Sequence, residues 1–427
     1  MMNREFDIIL WGATGFTGKL VAEYFANQYG CNGSKLKWAI AGRNEGKLNL
    51  LKSSLTKIDP SAENLPVITA DIDSLPSLQK LTRRAKVVCT TVGPYNLYGK
   101  VLLKACLEEQ TNYCDLTGEP NFIRYSIDTF HKDAKEKKIQ IVHSCGFDSI
   151  PSDLGTLLLQ KESERRLGSL CKEVLFVAGE SKGSFSGGTI ISLLGVIEEV
   201  STNENTKKIL EDPYSLNPPE IRGEDTIDPT DIVYIDALKT WACPFLMGPI
   251  NTRVVRRSSA LLHGSNPFLY QERMGLGDGI GGWLLAQSIR LGLGSILALG
   301  SIGLTRNILK STIFPISGEG PDPELRENGF FKISILGFKN GLSNKADIQV
   351  DITGKRDPGY GATSRMIGES AVSLAKGDVQ PIYGVITPAI AFGLPFLEKL
   401  KKVDIEFLVV NSKSEIGTVS NPSSTPS

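Results

Sequence analysis

Short apolar runs alternate with amphipathic stretches through the first third of the chain. Phe6–Trp11, Trp38–Ala41, Leu65–Ala70, Ala85–Val92, Asn112–Asp115 and Ile139–His143 have the length and continuity of strands buried on both faces. Between them, apolar positions recur at helical spacing over Lys19–Phe25, Glu45–Leu55, Leu75–Arg84, Lys100–Gln110 and Pro120–Lys137. This alternation predicts a six-stranded parallel sheet with helices on both faces. Ligands of such sheets lie beyond the carboxyl ends of the strands. Topology alone therefore nominates the segments after each strand: Gly12–Gly18, Gly42–Asn44, Asp71, Gly93–Tyr95, Leu116–Glu119 and Ser144–Ser152.

The rhythm changes near Leu154, where a helix is expected with Ser152 and Asp153 as its N-caps. Glu173–Ala178 reads as a strand, Gly183–Thr189 as a turn and Ile190–Val200 as a helix. Phe330–Phe338 and Ala346–Gly354 have the pattern of a hairpin around Lys339–Lys345. The expected class is α/β, an N-terminal Rossmann-type parallel sheet followed by a second α+β domain built on a mostly antiparallel sheet. The expected boundaries are 1–153, 154–360, and 361–410 for a helix (about Thr363–Lys376) and strand returning to the core. Residues 411–427, rich in Ser, Pro and Thr, are expected to be a disordered tail.

Composition narrows the classes. A chain of 427 residues suits about two well-cored domains. Lys plus Arg equals Asp plus Glu at 47 each, so no global field recruits nucleic acid or an anionic membrane. Seven cysteines, an odd number without CxxC spacing, fit no disulfide framework; buried, reduced thiols and a cytoplasmic setting are expected. Three histidines without ligand spacing give no metal site, and no signal-peptide pattern precedes the first strand.

The turn after the first strand carries the sharpest chemistry. Gly12-Ala13-Thr14-Gly15-Phe16-Thr17-Gly18 joins strand to helix through small residues, exposing backbone N–H groups to a pyrophosphate at a helix N-terminus. At the end of the second strand, where NAD-selective sites hold an acid, stands Arg43, with Lys47 one turn on. Cations there suit a 2′-phosphate, so the expected cofactor is NADP(H). A glycine turn with no ligand is the plain alternative. Asp71 is read either as a partner of the adenine amino group or as a cap of the next helix.

Ile280–Leu304 is apolar and glycine-rich, with Arg290 its only charge. Its uncharged part, Leu291–Thr305, is 15 residues long, short of the ~20 that span a bilayer. It reads as a buried helical pair or a contact in a homodimer, as a surface resting on lipid or receiving a greasy substrate, or as a span.

Val92-Gly93-Pro94-Tyr95-Asn96-Leu97-Tyr98-Gly99, Tyr113–Glu119, the run Cys145-Gly146-Phe147-Asp148-Ser149-Ile150-Pro151-Ser152-Asp153, Ser186–Thr189, Gly318–Pro321 and Asp357-Pro358-Gly359-Tyr360-Gly361 together resemble the saccharopine dehydrogenase-like oxidoreductases. That family includes trans-acting enoyl reductases of bacterial lipid biosynthesis. The resemblance runs from residue 6 to about 400. It implies a nicotinamide cofactor and a saccharopine-reductase-like second domain.

Hydride transfer needs positioning more than acid–base strength. Gly93 and Pro94 are expected near the pyrophosphate or the nicotinamide ribose. Tyr95 is read as a proton donor or as a stacking wall, and Asp148 as an acid–base group. Gly146, Phe147, Ser149, Ser186, Gly187, Gly188 and Thr189 are expected on the substrate side, the last four as a cradle for a thioester carbonyl or coenzyme phosphate. Asp115 and Glu119 are read as a functional carboxylate pair or as turn closers. The expected function is NADP(H)-dependent reduction of a hydrophobic, lipid-linked enoyl or carbonyl substrate, with peripheral lipid association through 280–304. One alternative is an imine or amino-acid reductase using Arg253, Arg256, Arg257 and Arg356. The other is a non-catalytic NADP-binding scaffold at a lipid surface.

Overall fold

The computed structural model describes residues 4–183, 198–200, 203–225, 227–265, 267–301 and 322–410. In the first unit, β1 (Phe6–Trp11), β2 (Trp38–Gly42), β3 (Val67–Thr69), β4 (Ala85–Thr90), β5 (Asn112–Cys114) and β6 (Gln140–Val142) alternate with five helices. These are α1 (Phe16–Tyr29), α2 (Glu45–Leu55), α3 (Leu75–Thr82), α4 (Tyr95–Glu108) and α5 (Pro120–Glu136). All strands of this sheet are parallel, and β2 is buried along its whole length because helices cover both faces. The order reverses between β1 and β4, which opens a crevice at their carboxyl ends. The sheet has seven strands rather than six: Gly384–Ile386 (β13) pairs in parallel with β6.

The long helix α6 (Ile150–Leu167) leads into the second sheet. There follow β7 (Glu173–Lys182), α7 (Glu204–Glu211), β8 (Val233–Ile235), β9 (Thr240–Pro244), α8 (Gly248–His263) and β10 (Leu269–Gly275). Then come α9 (Gly279–Ser301), α10 (Pro323–Glu327), β11 (Phe330–Phe338), β12 (Ile348–Lys355) and α11 (Thr363–Lys376). Beyond β13 lie α12 (Pro388–Phe392), α13 (Pro395–Lys401) and β14 (Ile405–Val410). The sheet order is β14-β12-β11-β7-β10-β9-β8, antiparallel except for the β7–β10 pair. Gly155 lets α6 lie flat on it: a Cβ there would come within 2.5 Å of Ile335 and 2.8 Å of Ile352. One apolar core runs through both sheets.

Three local expectations are corrected. Helix α4 begins at Tyr95, not Lys100, because the Glu119 carboxylate accepts the Tyr95 and Asn96 N–H groups, both at 2.8 Å. Helix α6 begins at Ile150, so Ser152 and Asp153 lie buried inside its first turn and are not caps. The stretch from 280 is not a buried pair: α9 is one helix with Ile280, Trp283, Leu284, Leu285, Leu291 and Leu299 exposed. Among the described residues no helix is long and apolar enough to cross a membrane. Of the helix expected at Ile190–Val200, only 198–200 lies among the described residues, as does none of Ser186–Thr189, Gly318–Pro321 or the 411–427 tail.

Candidate cofactor and substrate site

The carboxyl end of β1 turns at Gly12, whose φ of +84° favours glycine. The Gly12 and Ala13 N–H groups both bond the Ala41 carbonyl, fastening the turn to β2. A Cβ on Gly18 would fall 2.2 Å from the Gly12 carbonyl oxygen, so only glycine lets α1 pack this close. Gly15 caps α1 without a side chain, and the first turn, Phe16–Thr17–Gly18, holds no acid. Its N–H groups and dipole therefore face the crevice uncapped, with Thr14 and Thr17 half-buried beside them. This cradle fits a pyrophosphate.

Arg43 and Lys47 stand exposed past β2, and neither has an ion pair among the described residues. Asn44 between them caps α2 by accepting the Lys47 N–H. Asp71 lies exposed past β3, with one carboxylate oxygen accepting the Asp73 N–H to close its own turn. The N-cap of α3 is Ser74 instead.

Gly93 and Pro94 line the mouth between β4 and α4, but Tyr95 turns inward. Its hydroxyl accepts the Leu116 N–H at 3.2 Å and lies 3.4 Å from the Thr90 carbonyl, and its ring packs beside Phe122. Burial beside Asp115 pushes that phenol well above its ordinary pKa. Tyr95 is buried, and its hydroxyl and ring are engaged within the chain, the stacking and hydrogen-bonding part of the two readings. Asp115 closes turns as well. One oxygen accepts Thr117 and Ser144 N–H groups; the other meets the Tyr113 hydroxyl and His143 Nδ1. His143 Nε2 reaches the Ser126 hydroxyl at 2.9 Å. This Ser–His–Asp chain resembles a hydrolase triad in connectivity only, because all three residues are buried.

After β6, Gly146 fits between Leu116 and Thr363, where a Cβ would meet them at 2.7 and 3.1 Å. The Phe147 N–H donates to the Thr363 hydroxyl, and its ring meets the Phe331 edge at 4.8 Å. Ser149 is buried and donates to Asn251, which donates to Glu272; the Tyr270 hydroxyl donates to the other Glu272 oxygen. Burial raises the Glu272 carboxyl to about 7. Asp148 is half-buried, has no hydrogen-bond partner among the described residues, and is pushed up to about 6 by burial. The second half thus supplies Thr363, Asn251, Glu272 and Phe331, none of which stands out by motif.

The four arginines that a polar substrate would need are occupied. Arg253 pairs with Asp228, and Arg256 with Asp225 at 2.7 Å. Arg257 donates to the Leu216 and Val385 carbonyls, and Arg356 pairs with Glu327.

Residues 8–142 match the family model described as the saccharopine dehydrogenase NADP binding domain. A Mycobacterium tuberculosis relative, provisionally named a trans-acting enoyl reductase, is 38% identical over 415 residues, covering 93% of this chain and 96% of its own. The trans-acting enoyl reductases of Mycobacterium bovis and Mycobacterium ulcerans are 34% and 31% identical, each covering at least 93% of this chain and 96% of their own. This chain belongs to the saccharopine dehydrogenase-like family that includes the trans-acting enoyl reductases. It is an NADP(H)-dependent oxidoreductase. The same fold occurs in yeast saccharopine dehydrogenase, with a TM-score of 0.50 at 12% identity, covering 95% of this chain and 99% of that one. Homospermidine synthase from Legionella pneumophila, solved with NAD, also scores 0.50 at 9% identity, covering 100% and 95%.

Proposed function

We propose that this family member reduces a hydrophobic, lipid-linked enoyl or carbonyl substrate with NADPH. The observation that carries the proposal is the occupation of Arg253, Arg256, Arg257 and Arg356 by partners within the chain. A dicarboxylate or amino-acid substrate needs free cations, and these four are bound already. The uncharged groups around the strand ends include Phe147, half-buried against the buried Phe331, and Leu97, exposed on α4.

In this reading Gly12, Gly15 and Gly18 with Thr14, Phe16 and Thr17 hold the pyrophosphate, and Arg43 and Lys47 the 2′-phosphate. Gly93 and Pro94 border the nicotinamide ribose, and Asp71 lies toward the adenine. The bound cofactor supplies a hydride to an electron-poor carbon of the substrate. Asp148 balances that step by giving one proton to the resulting enolate or alkoxide; a carboxyl raised to about 6 stays partly protonated near neutral pH.

Helix α9 supports a lipid setting. Its exposed side chains are apolar on more than one face, its Ser288 and Ser295 hydroxyls bond back to Leu284 and Leu291 carbonyls, and Arg290 turns to the Thr230 carbonyl. Few polar groups on this helix thus require water, which suits a helix bathed in acyl chains.

The test is NADPH oxidation with a long-chain enoyl thioester, a four-carbon enoyl thioester and a 2-oxo acid plus amine. The long chain should turn over fastest, with Asp148→Asn lowering kcat at least tenfold. Preference for the 2-oxo acid and amine would overturn the proposal. Flotation with phosphatidylcholine vesicles tests the helix: wild-type protein should float, and Leu284→Asp/Leu285→Asp protein should stay below.

A further inference from the structure

One charged side chain from the second unit stands at the anion-binding end of α1. The guanidinium of Arg326, on α10, lies 5.5 Å from the centre of the Phe16 ring, and the Tyr360 ring meets that same ring edge-on at 4.6 Å. Phe16 is the first residue of α1, directly after the side-chain-free cap at Gly15. Arg326 is held in place through its backbone. Its N–H bonds the Asp322 carbonyl at 3.1 Å, and its carbonyl accepts the Asp357 N–H at 3.1 Å. Gly361 sits so close that a Cβ would fall 3.1 Å from the Arg326 carbonyl oxygen.

Among the described residues Arg326 forms no ion pair, although its charge is felt at Asp357 and Glu23. Asp357 engages its two oxygens with the Tyr360 and Gly361 N–H groups. Glu23, two turns along α1, feels the Arg326 charge but forms no ion pair with it. The Arg326 Nε is buried and has no hydrogen-bond partner among the described residues. By contrast, Arg253, Arg256 and Arg273 each hold a carboxylate. A guanidinium beside the first residue of an uncapped helix adds a second donor group where an anion would sit.

We propose that Arg326 binds the cofactor pyrophosphate, reaching over from the second unit to close the glycine turn. This rests on the reading of Gly12–Gly18 as the pyrophosphate cradle. It divides the labour between two arginines: Arg43 recognises what distinguishes NADPH from NADH, and Arg326 recognises what they share.

Calorimetric titration of the full chain with NADPH, NADH and 2′-AMP tests this directly. Arg326→Met keeps an apolar stem against Phe16. It should weaken NADPH and NADH by the same factor, about tenfold or more, and leave 2′-AMP unchanged. Arg326→Lys should lie between Met and wild type for both dinucleotides. Unchanged affinities in a folded Arg326→Met protein would overturn the proposal, as would a loss confined to NADPH. Should the methionine variant melt early, Arg326→Lys carries the test, and no loss or an NADPH-only loss refutes it. Wild-type protein that binds neither dinucleotide sinks the glycine-turn reading and this one together. Wild-type protein that binds both, matched by Arg326→Met, sinks this one alone.

Discussion

Two sets of cations in this chain meet opposite fates. Arg43 and Lys47 stand exposed past β2 without an ion pair to any described residue. Arg253, Arg256 and Arg257 lie buried on α8, their guanidinium groups tied to Asp228, Asp225 and the carbonyls of Leu210, Pro213, Leu216, Tyr270 and Val385. Burial lowers Arg257, which forms no ion pair among the described residues, to about 9. The first set is available to a ligand. The second fastens the stretch from Leu210 to Asp228 onto α8 and ties α8 to β13. Counting arginines near a site therefore says little about substrate charge until their partners are known.

The largest effect should come from the buried set. Arg256→Met leaves Asp225 buried without its partner and should cost about 3–5 kcal/mol, read as a lower urea midpoint, with the NADPH-over-NADH preference intact. The exposed set should behave in reverse. Arg43→Asp should weaken NADPH by on the order of 100-fold, about 2–3 kcal/mol, while NADH affinity and the urea midpoint barely move. A stability loss in Arg43→Asp, or a cofactor switch in Arg256→Met, would break the contrast. Glu119→Ala strips two N–H groups at the start of α4 of their acceptor and should cost about 1–2 kcal/mol, again read by denaturation.

The smallest effect concerns pH. Burial raises the Asp153 carboxyl to about 7, although Ser258 and Ala389 donate to it. The folded state then binds a proton that the unfolded state has released, so this group's contribution falls as pH rises from about 4 to 7. Asp153→Asn can accept from Ala389 and donate to Ser258. It should flatten the decline of the melting temperature between pH 5 and 8; an unchanged slope would contradict the assignment.

The parallel sheet was legible because its strands are continuous apolar runs, and Gly12–Gly18 because a strand and a helix flank it. At Tyr95 the sequence left two readings open, a proton donor and a stacking wall. Whether its phenol faces the crevice depends on Glu119, a residue 24 positions later that starts the helix five residues early. Ser152 and Asp153 looked like caps because cap chemistry is local, whereas their burial is set by α6 packing on a distant sheet. Arg326 and Asn251 carry no motif at all; only the tertiary fold brings them to Phe16 and Ser149. The apolar stretch from 280 was seen, but its exposure on α9 depends on what the rest of the chain leaves uncovered.

The strand at Gly384–Ile386 has a consequence for synthesis. Gln140, the first residue of β6, donates to carbonyls at Gln380 and Ile382, 240 and 242 positions away in the chain. Until the ribosome has made that last stretch, β6 is a bare edge with unmet backbone groups. A nascent chain thus carries an adhesive border through most of its translation. That border makes truncated products ending before residue 384 prone to self-association, and makes the C-terminal region the lock on a sheet begun at residue 6.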